Sequence, residues 1–146
     1  MQRYTDWPER LSMFLEKRKD TPLEWGKSDC CLFACDAIEA QNGSDPAHMF
    51  RGKYSTMKEA FKLLKEFSGG GVDETATRVC ADMGYPEIPI KDATGGDVVL
   101  LNVENVHPDS RGFTMGLLVN PITAVAQGKD GLVYIEEPDV RKAWRI

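Results

Sequence analysis

The residues best suited to chemistry lie in "PLEWGKSDCCLFAC", residues 22–35, where two cysteines follow an aspartate at the passage from a connector into an apolar helix. Ser28 or Asp29 is placed to cap that helix, which the pattern predicts to run to about Gln41, with Asn42-Gly43 as its stop. Cys30 then falls in the first helical turn. Free amide donors and the positive end of the helix dipole meet there, and both favour thiolate over thiol. A cysteine so placed is either a nucleophile at neutral pH or the first residue of a capped helix without chemistry, and both readings fit the residues. Cys31 shares a stripe with Ala34, Cys35 and Ile38, so it is expected to pack, as are Cys35 and Cys80.

Other chemistries find less to work with. The cysteines match neither paired C-x₂-C zinc spacing nor a C-x-x-C redox motif, and the chain holds 2 histidines, so no metal and no cofactor is implied. Cys30 and Cys31 are adjacent and share a helix with Cys35, which makes a poor disulfide framework and predicts reduced thiols. The imidazoles are His48, in "DPAHMF", and His107, in "NVENVHPDSRG", where Pro108-Asp109 predicts a solvent-facing turn. Arg51 and Lys53 in "FRGKY" could bind an anion, but a structural loop turning at Gly52 is the simpler reading. "SGGG" at 68–71 reads as a helix stop, because no strand precedes it and no Lys-Ser/Thr follows.

The elements that must position these residues follow from periodicity. Asp6, with Glu9 set for a capping box, predicts a helix carrying Trp7, Leu11, Phe14 and Leu15 on one face and closing in the solvated run "EKRKD". The cysteine helix is apolar nearly all round, which places it in the middle of the protein. Thr56 with Glu59 opens a third helix through Phe61, Leu64 and Phe67. Asp73 is read as the cap of a fourth, with Ala76, Val79, Cys80 and Met83 on one face. "YPEIPIKDATGG" reads as a loop. After Gly96 the character changes: "DVVLLNV", "FTMGLLVN", "TAVAQ" and "GLVYIEE" predict antiparallel strands, and "PDVRKAWRI" a turn of helix and a last edge strand. Helices first and strands second, without βαβ alternation, means α+β: N-terminal helices packed on a C-terminal antiparallel sheet, in one domain spanning 1–146.

Composition narrows the partners. A formal charge of −5 argues against nucleic acid, and no apolar run approaches the roughly 20 residues needed to span a bilayer. No signal-peptide pattern opens the chain, so synthesis in the cytoplasm is expected.

"WGKSDCCLFA" resembles the W-G…D-C-S-G-L-V segment that carries the nucleophile of NlpC/P60 cell-wall peptidases, a papain-like family. Trp25 and Gly26 match its aromatic-glycine approach to the cleft, Asp29 its acidic residue and Cys30 its nucleophile. "GGDVVLL" resembles the family's P-G-D-L-V-F-F strand, with Gly96-Asp97 in register. The family's next strand, H-V-G-I, carries the general base; here the segment is "TMGLLVN", so that position falls on Thr114. Threonine cannot take a thiol proton near neutral pH, and losing a positioned acid–base group costs about 10²–10⁴-fold in rate. The family's third polar position falls in "ITAVAQ", where Ala124, Val125 and Ala126 cannot orient an imidazole. His107 is the nearest substitute base in sequence.

A longer resemblance links "TPLEWGKSDCCLFACDAI", "FRGKYST", "GDVVLL" and the closing "AWRI" to small phage and prophage proteins that look like degenerate NlpC/P60 relatives encoded among tail-tip genes. It implies a papain-like, NlpC/P60-type fold and a structural or assembly role in the virion, made in the host cytoplasm and without catalysis. The partners implied are other tail-tip or hub proteins. The alternative it implies is an active cysteine hydrolase, an endopeptidase or amidase cutting a peptidoglycan stem peptide through Cys30.

Overall fold

In the computed structural model, which describes residues 2–103 and 112–146, helices precede strands as the periodicity predicts. Among the described residues the helices are α1 (Trp7–Arg18), α2 (Cys30–Asn42), α3 (Met57–Ser68) and α4 (Val72–Met83). The strands are β1 (Glu87–Ile88), β2 (Val98–Val103), β3 (Gly112–Asn120), β4 (Thr123–Gln127), β5 (Leu132–Glu136) and β6 (Val140–Trp144). They pair antiparallel throughout, in the order β1-β6-β2-β3-β4-β5. The class is α+β.

Local chemistry explains most helix ends. Asp29 caps α2 by accepting from Leu32 N, and Gly43 closes it in the left-handed conformation. Thr56 caps α3 through Glu59 N, while the Glu59 carboxylate reaches back to Ser55 N, one residue before the cap. Two expected caps differ. Asp6 precedes α1 but makes no cap bond, because its carboxylate is taken by Arg10 at 2.7 Å, one turn on. Helix α4 begins two residues earlier than expected: Glu74 accepts from Gly71 N, which leaves Asp73 in the first turn to pair with Lys142 at 2.7 Å.

The centre of the molecule is α2. Phe33, Ala34, Ala37 and Ile38 are buried against Leu100, Leu117, Val125 and Trp144 on one face of the sheet, with Leu11 of α1. Phe33 is fully buried, which is worth about 1.5–3 kcal/mol for such a side chain. On the opposite face, Val99, Leu101, Leu118, Ala124, Ala126 and Ala143 form a second cluster with Ala93, as strand alternation requires.

Two further expectations are corrected. The run at 16–19 is not a wholly solvated helix end. Arg18 turns inward, bonds Asp36 of α2 at 2.6 Å and Gln127 of β4 at 3.2 Å, and lies over the rings of Phe14 and Phe33. The closing segment forms neither a helical turn nor an edge: β6 lies inside the sheet, between β1 and β2, with Ala143 and Trp144 buried. Its basic residues masked this, and Lys142 is satisfied by Asp73 and Thr77 of α4. The expected loop at 85–96 likewise holds β1, the edge strand beside β6, and a single 3₁₀ turn at Ile90–Asp92.

Candidate functional site at the head of the central helix

The connector before α2 is wound so that one carboxylate organises the site. Gly26 sits at φ +86°, and a Cβ there would come 2.0 Å from the Tyr54 carbonyl oxygen. Only glycine permits this approach. Its N–H donates to Asp29 Oδ2 at 2.9 Å, and the Tyr54 hydroxyl donates to the same oxygen at 2.6 Å. The other oxygen, Oδ1, accepts from Leu32 N at 3.0 Å. Asp29 is buried, so these three donors replace the water it loses. Asp29 therefore holds the head of α2 in place; its oxygens face the cap, the connector and Tyr54 rather than the thiol.

Cys30 is the first residue of α2 and is half-buried. Its Sγ lies 3.9 Å from Cys31 Sγ, within hydrogen-bonding reach for sulfur. The Cys31 thiol, helped by the Thr114 hydroxyl and the Met115 main chain, holds the Cys30 thiol below its ordinary range, against the opposing effects of burial and of the Asp29 charge. Cys31 is pushed the other way, first by serving as partner to Cys30 and then by burial. Of the two thiols Cys30 therefore ionises the more readily, and Cys31 holds its proton the more tightly. Thr114 is also 3.4 Å from the Met115 carbonyl, and its single hydroxyl proton serves one acceptor at a time.

Trp25, Cys30, Tyr54 and Phe113 line the outer part of a cavity of about 100 Å³ that continues between α2, α3 and α4. Its depth is apolar, with Ile38, Leu64 and Val72 among the lining residues. Cys31, Cys35 and Cys80 face the same cavity. Burial pushes Cys80 up to about 12 and raises Cys35 as well, so both stay protonated and behave as small apolar groups.

The structure thus brings together Trp25, Gly26, Asp29, Cys30 and Thr114, which sequence motifs had singled out across some ninety residues. It keeps His48 apart: that side chain is exposed and borders a separate shallow depression with Lys27, Asp45 and Arg51. His107 lies outside the described residues. Among the described residues, no imidazole lines the cavity at Cys30. Nor do three His, Cys, Asp or Glu side chains converge there or elsewhere among them to hold a metal. Arg51 is structural, as expected, bonded to Asp36 of α2 at 2.8 Å and to Asp45 at 2.9 Å. Three participants escaped the sequence reading. Tyr54 comes from "FRGKYST", a stretch whose residues do not reveal what the tyrosine hydroxyl meets. Met115 acts through its main chain, which side-chain identity cannot reveal. Cys31 does pack, but it is also the hydrogen-bond partner of Cys30.

No helix among the described residues is long and apolar enough to cross a membrane. No curated protein matches the chain. A family model described as "Domain of unknown function (DUF6950)" matches residues 2–146, and the chain belongs to that family.

Proposed function

We propose that this DUF6950 chain is a degenerate papain-like module of the NlpC/P60 type, serving as a structural or assembly component of a phage tail tip and cleaving no peptide. The observation that carries the absence of cleavage is the pairing of Cys30 with Thr114 and Met115 of β3. A thiol at the head of a buried helix faces a hydroxyl where a peptidase of this type needs an imidazole. Amide cleavage requires a group that can protonate the leaving amine, and threonine cannot do so near neutral pH. The tail-tip role rests on the four ordered sequence motifs, and two of them now have a physical reason to travel together. "FRGKYST" supplies the Tyr54 hydroxyl that "WGKSDCC" needs to hold Asp29.

The test pairs an enzyme assay with a phage assay. Purified protein incubated with muropeptides should yield no product, and phage carrying Cys30→Ala should assemble and infect at unchanged titre. Cleavage by the wild type, or loss of infectivity from Cys30→Ala in a folded protein, would overturn the proposal.

The lowered Cys30 thiol favours a second reading, an active cysteine hydrolase acting on a peptidoglycan stem peptide. The base would then come from His107 or from a neighbouring tail protein. In that case turnover appears and disappears with His107→Ala, or appears only when the neighbour is added.

A further inference from the structure

We propose that Cys30 accepts a short acyl group from an acyl thioester, with the hydrocarbon end of the group seated in the apolar cavity between α2, α3, α4 and β3. The proposal rests on the reading of Cys30 as a nucleophile kept without its base, and it names the substrate class such a nucleophile can still use.

The chemistry follows from what the site holds and lacks. Cys30 thiolate attacks the carbonyl carbon of R–CO–S–R′, a new C–S bond forms, and the thiolate R′–S⁻ leaves and takes a proton from solvent. No oxidant is needed. No side-chain acid is needed either, because a thiolate leaves without prior protonation whereas an amine does not. An adduct so formed also persists, since its hydrolysis would need a base to activate water. The thiolate loses nothing by the exchange of His for Thr114 in this reaction.

The cavity explains why the acyl group should be apolar and short. Cys30, half-buried, lines the space together with the exposed Phe113. Inward lie Leu64, Val72 and Cys80, all buried. A peptide backbone entering this space would find few partners for its N–H and C=O groups, which would cost several kcal/mol each. A hydrocarbon needs none. The volume of about 100 Å³ is smaller than the cavity of about 150 Å³ that takes the six carbons of benzene in another protein, so it seats ~three to four carbons of an alkyl chain, about two methylenes beyond what an acetyl group offers. The site also selects among thiols, because Cys31, Cys35 and Cys80 stand on the same cavity but remain protonated.

The experiment is intact-mass and peptide-mapping analysis of the full chain after incubation with acetyl-, hexanoyl- and palmitoyl-coenzyme A at neutral pH. A single hydroxylamine-labile adduct on Cys30 is expected. Hexanoyl transfer should be about ten-fold faster than acetyl transfer, the factor that burying about two methylenes supplies. Palmitoyl, which overfills the space, should be slow. Cys30→Ala should abolish the adduct and His107→Ala should keep it. Ala76→Leu, which narrows the cavity from α4, should suppress hexanoyl transfer while iodoacetamide still alkylates Cys30 and spares Cys35 and Cys80, the protection that a folded variant keeps. The proposal is overturned if iodoacetamide modifies Cys30 and no acyl adduct forms. It is equally overturned if all chain lengths react alike, or if the four cysteines are acylated indiscriminately. The muropeptide assay is read separately, so cleavage there would refute the non-hydrolytic reading without deciding the acyl adduct.

Discussion

A thiolate that receives a hydrogen bond from the next thiol in the chain is stabilised at its neighbour's expense, and the two shifts have opposite signs. Cys30 is held low with Cys31 as first cause, and Cys31 is held well above its ordinary value by Cys30. The rate of Cys30 alkylation should therefore reach half its maximum below about pH 8.5, the value of a free cysteine. Cys31→Ala removes the principal donor, so the midpoint should move up. Thr114→Val removes a lesser donor and should move it up by less. Iodoacetamide rates followed by peptide mapping measure all three, and a midpoint unmoved in Cys31→Ala would refute the Cys31 hydrogen bond. The Asp29-Cys30 pair was legible in the sequence because capping is local: a cap and its target are three residues apart. Tyr54 was not, because its partner lies 25 residues away and nothing in a tyrosine's neighbours says what its hydroxyl will meet.

Glycines show how an element is aimed. Gly26 and Gly52 both have positive φ, at 86° and 74°, but a side chain at Gly52 meets open space whereas one at Gly26 meets the Tyr54 carbonyl. Gly52→Ala should therefore cost only the left-handed backbone penalty, about 1–2 kcal/mol. Gly26→Ala should cost roughly twice that or more, since the connector must also move off Tyr54. Urea unfolding compares the two, and equal losses would mean that the close approach does not hold the head of α2. Helix periods and the strands of β2 to β5 were readable because their apolar residues repeat at the element's own spacing. The tail was misread because Arg141 and Lys142 interrupt the apolar alternation of β6, and Lys142 is satisfied only by Asp73 and Thr77, far back in the chain. Arg18 was misread for the same reason: a basic residue at a helix end is ordinarily solvated, and only the packing of α1 on α2 and β4 brings Asp36 and Gln127 to it.

Asp97 joins parts of the molecule that no single element spans. It is fully buried and accepts from Arg3 at 3.1 Å, from Arg145 through two bonds at 3.0 and 3.1 Å, and from Thr94 N at 2.9 Å. Arg3 also bonds Gln41 of α2, whose amide reaches the Gly96 carbonyl. A Cβ on Gly96 would come within 2.8 Å of both Trp7 and Gln41, so the "GGD" of the strand motif is a packing and charge clamp. Asp97→Ala should destabilise by about 1–3 kcal/mol, the cost of losing charge-assisted hydrogen bonds whose cationic partners, Arg145 above all, can still reach water. A denaturation midpoint shifted at constant m-value would show this as lost stability rather than a changed unfolded state. An unchanged midpoint would remove Asp97 from the role. The α+β layering was legible as a whole because helical and strand periods occupy separate stretches of the chain. The strand order was not, because alternation tells which residues face inward and not which strand lies alongside.

The place of β6 inside the sheet has a consequence for synthesis. The ribosome releases β2 well before β6, so the nascent chain carries β2 with one side unpaired while β3, β4 and β5 are being made. During that interval the backbone of β2 is open to any passing strand, and β1, which pairs only with β6, has no sheet to join. Completion of the sheet is a late, long-range event, and the arrival of Val140–Trp144 closes an aggregation-prone edge and docks β1 together.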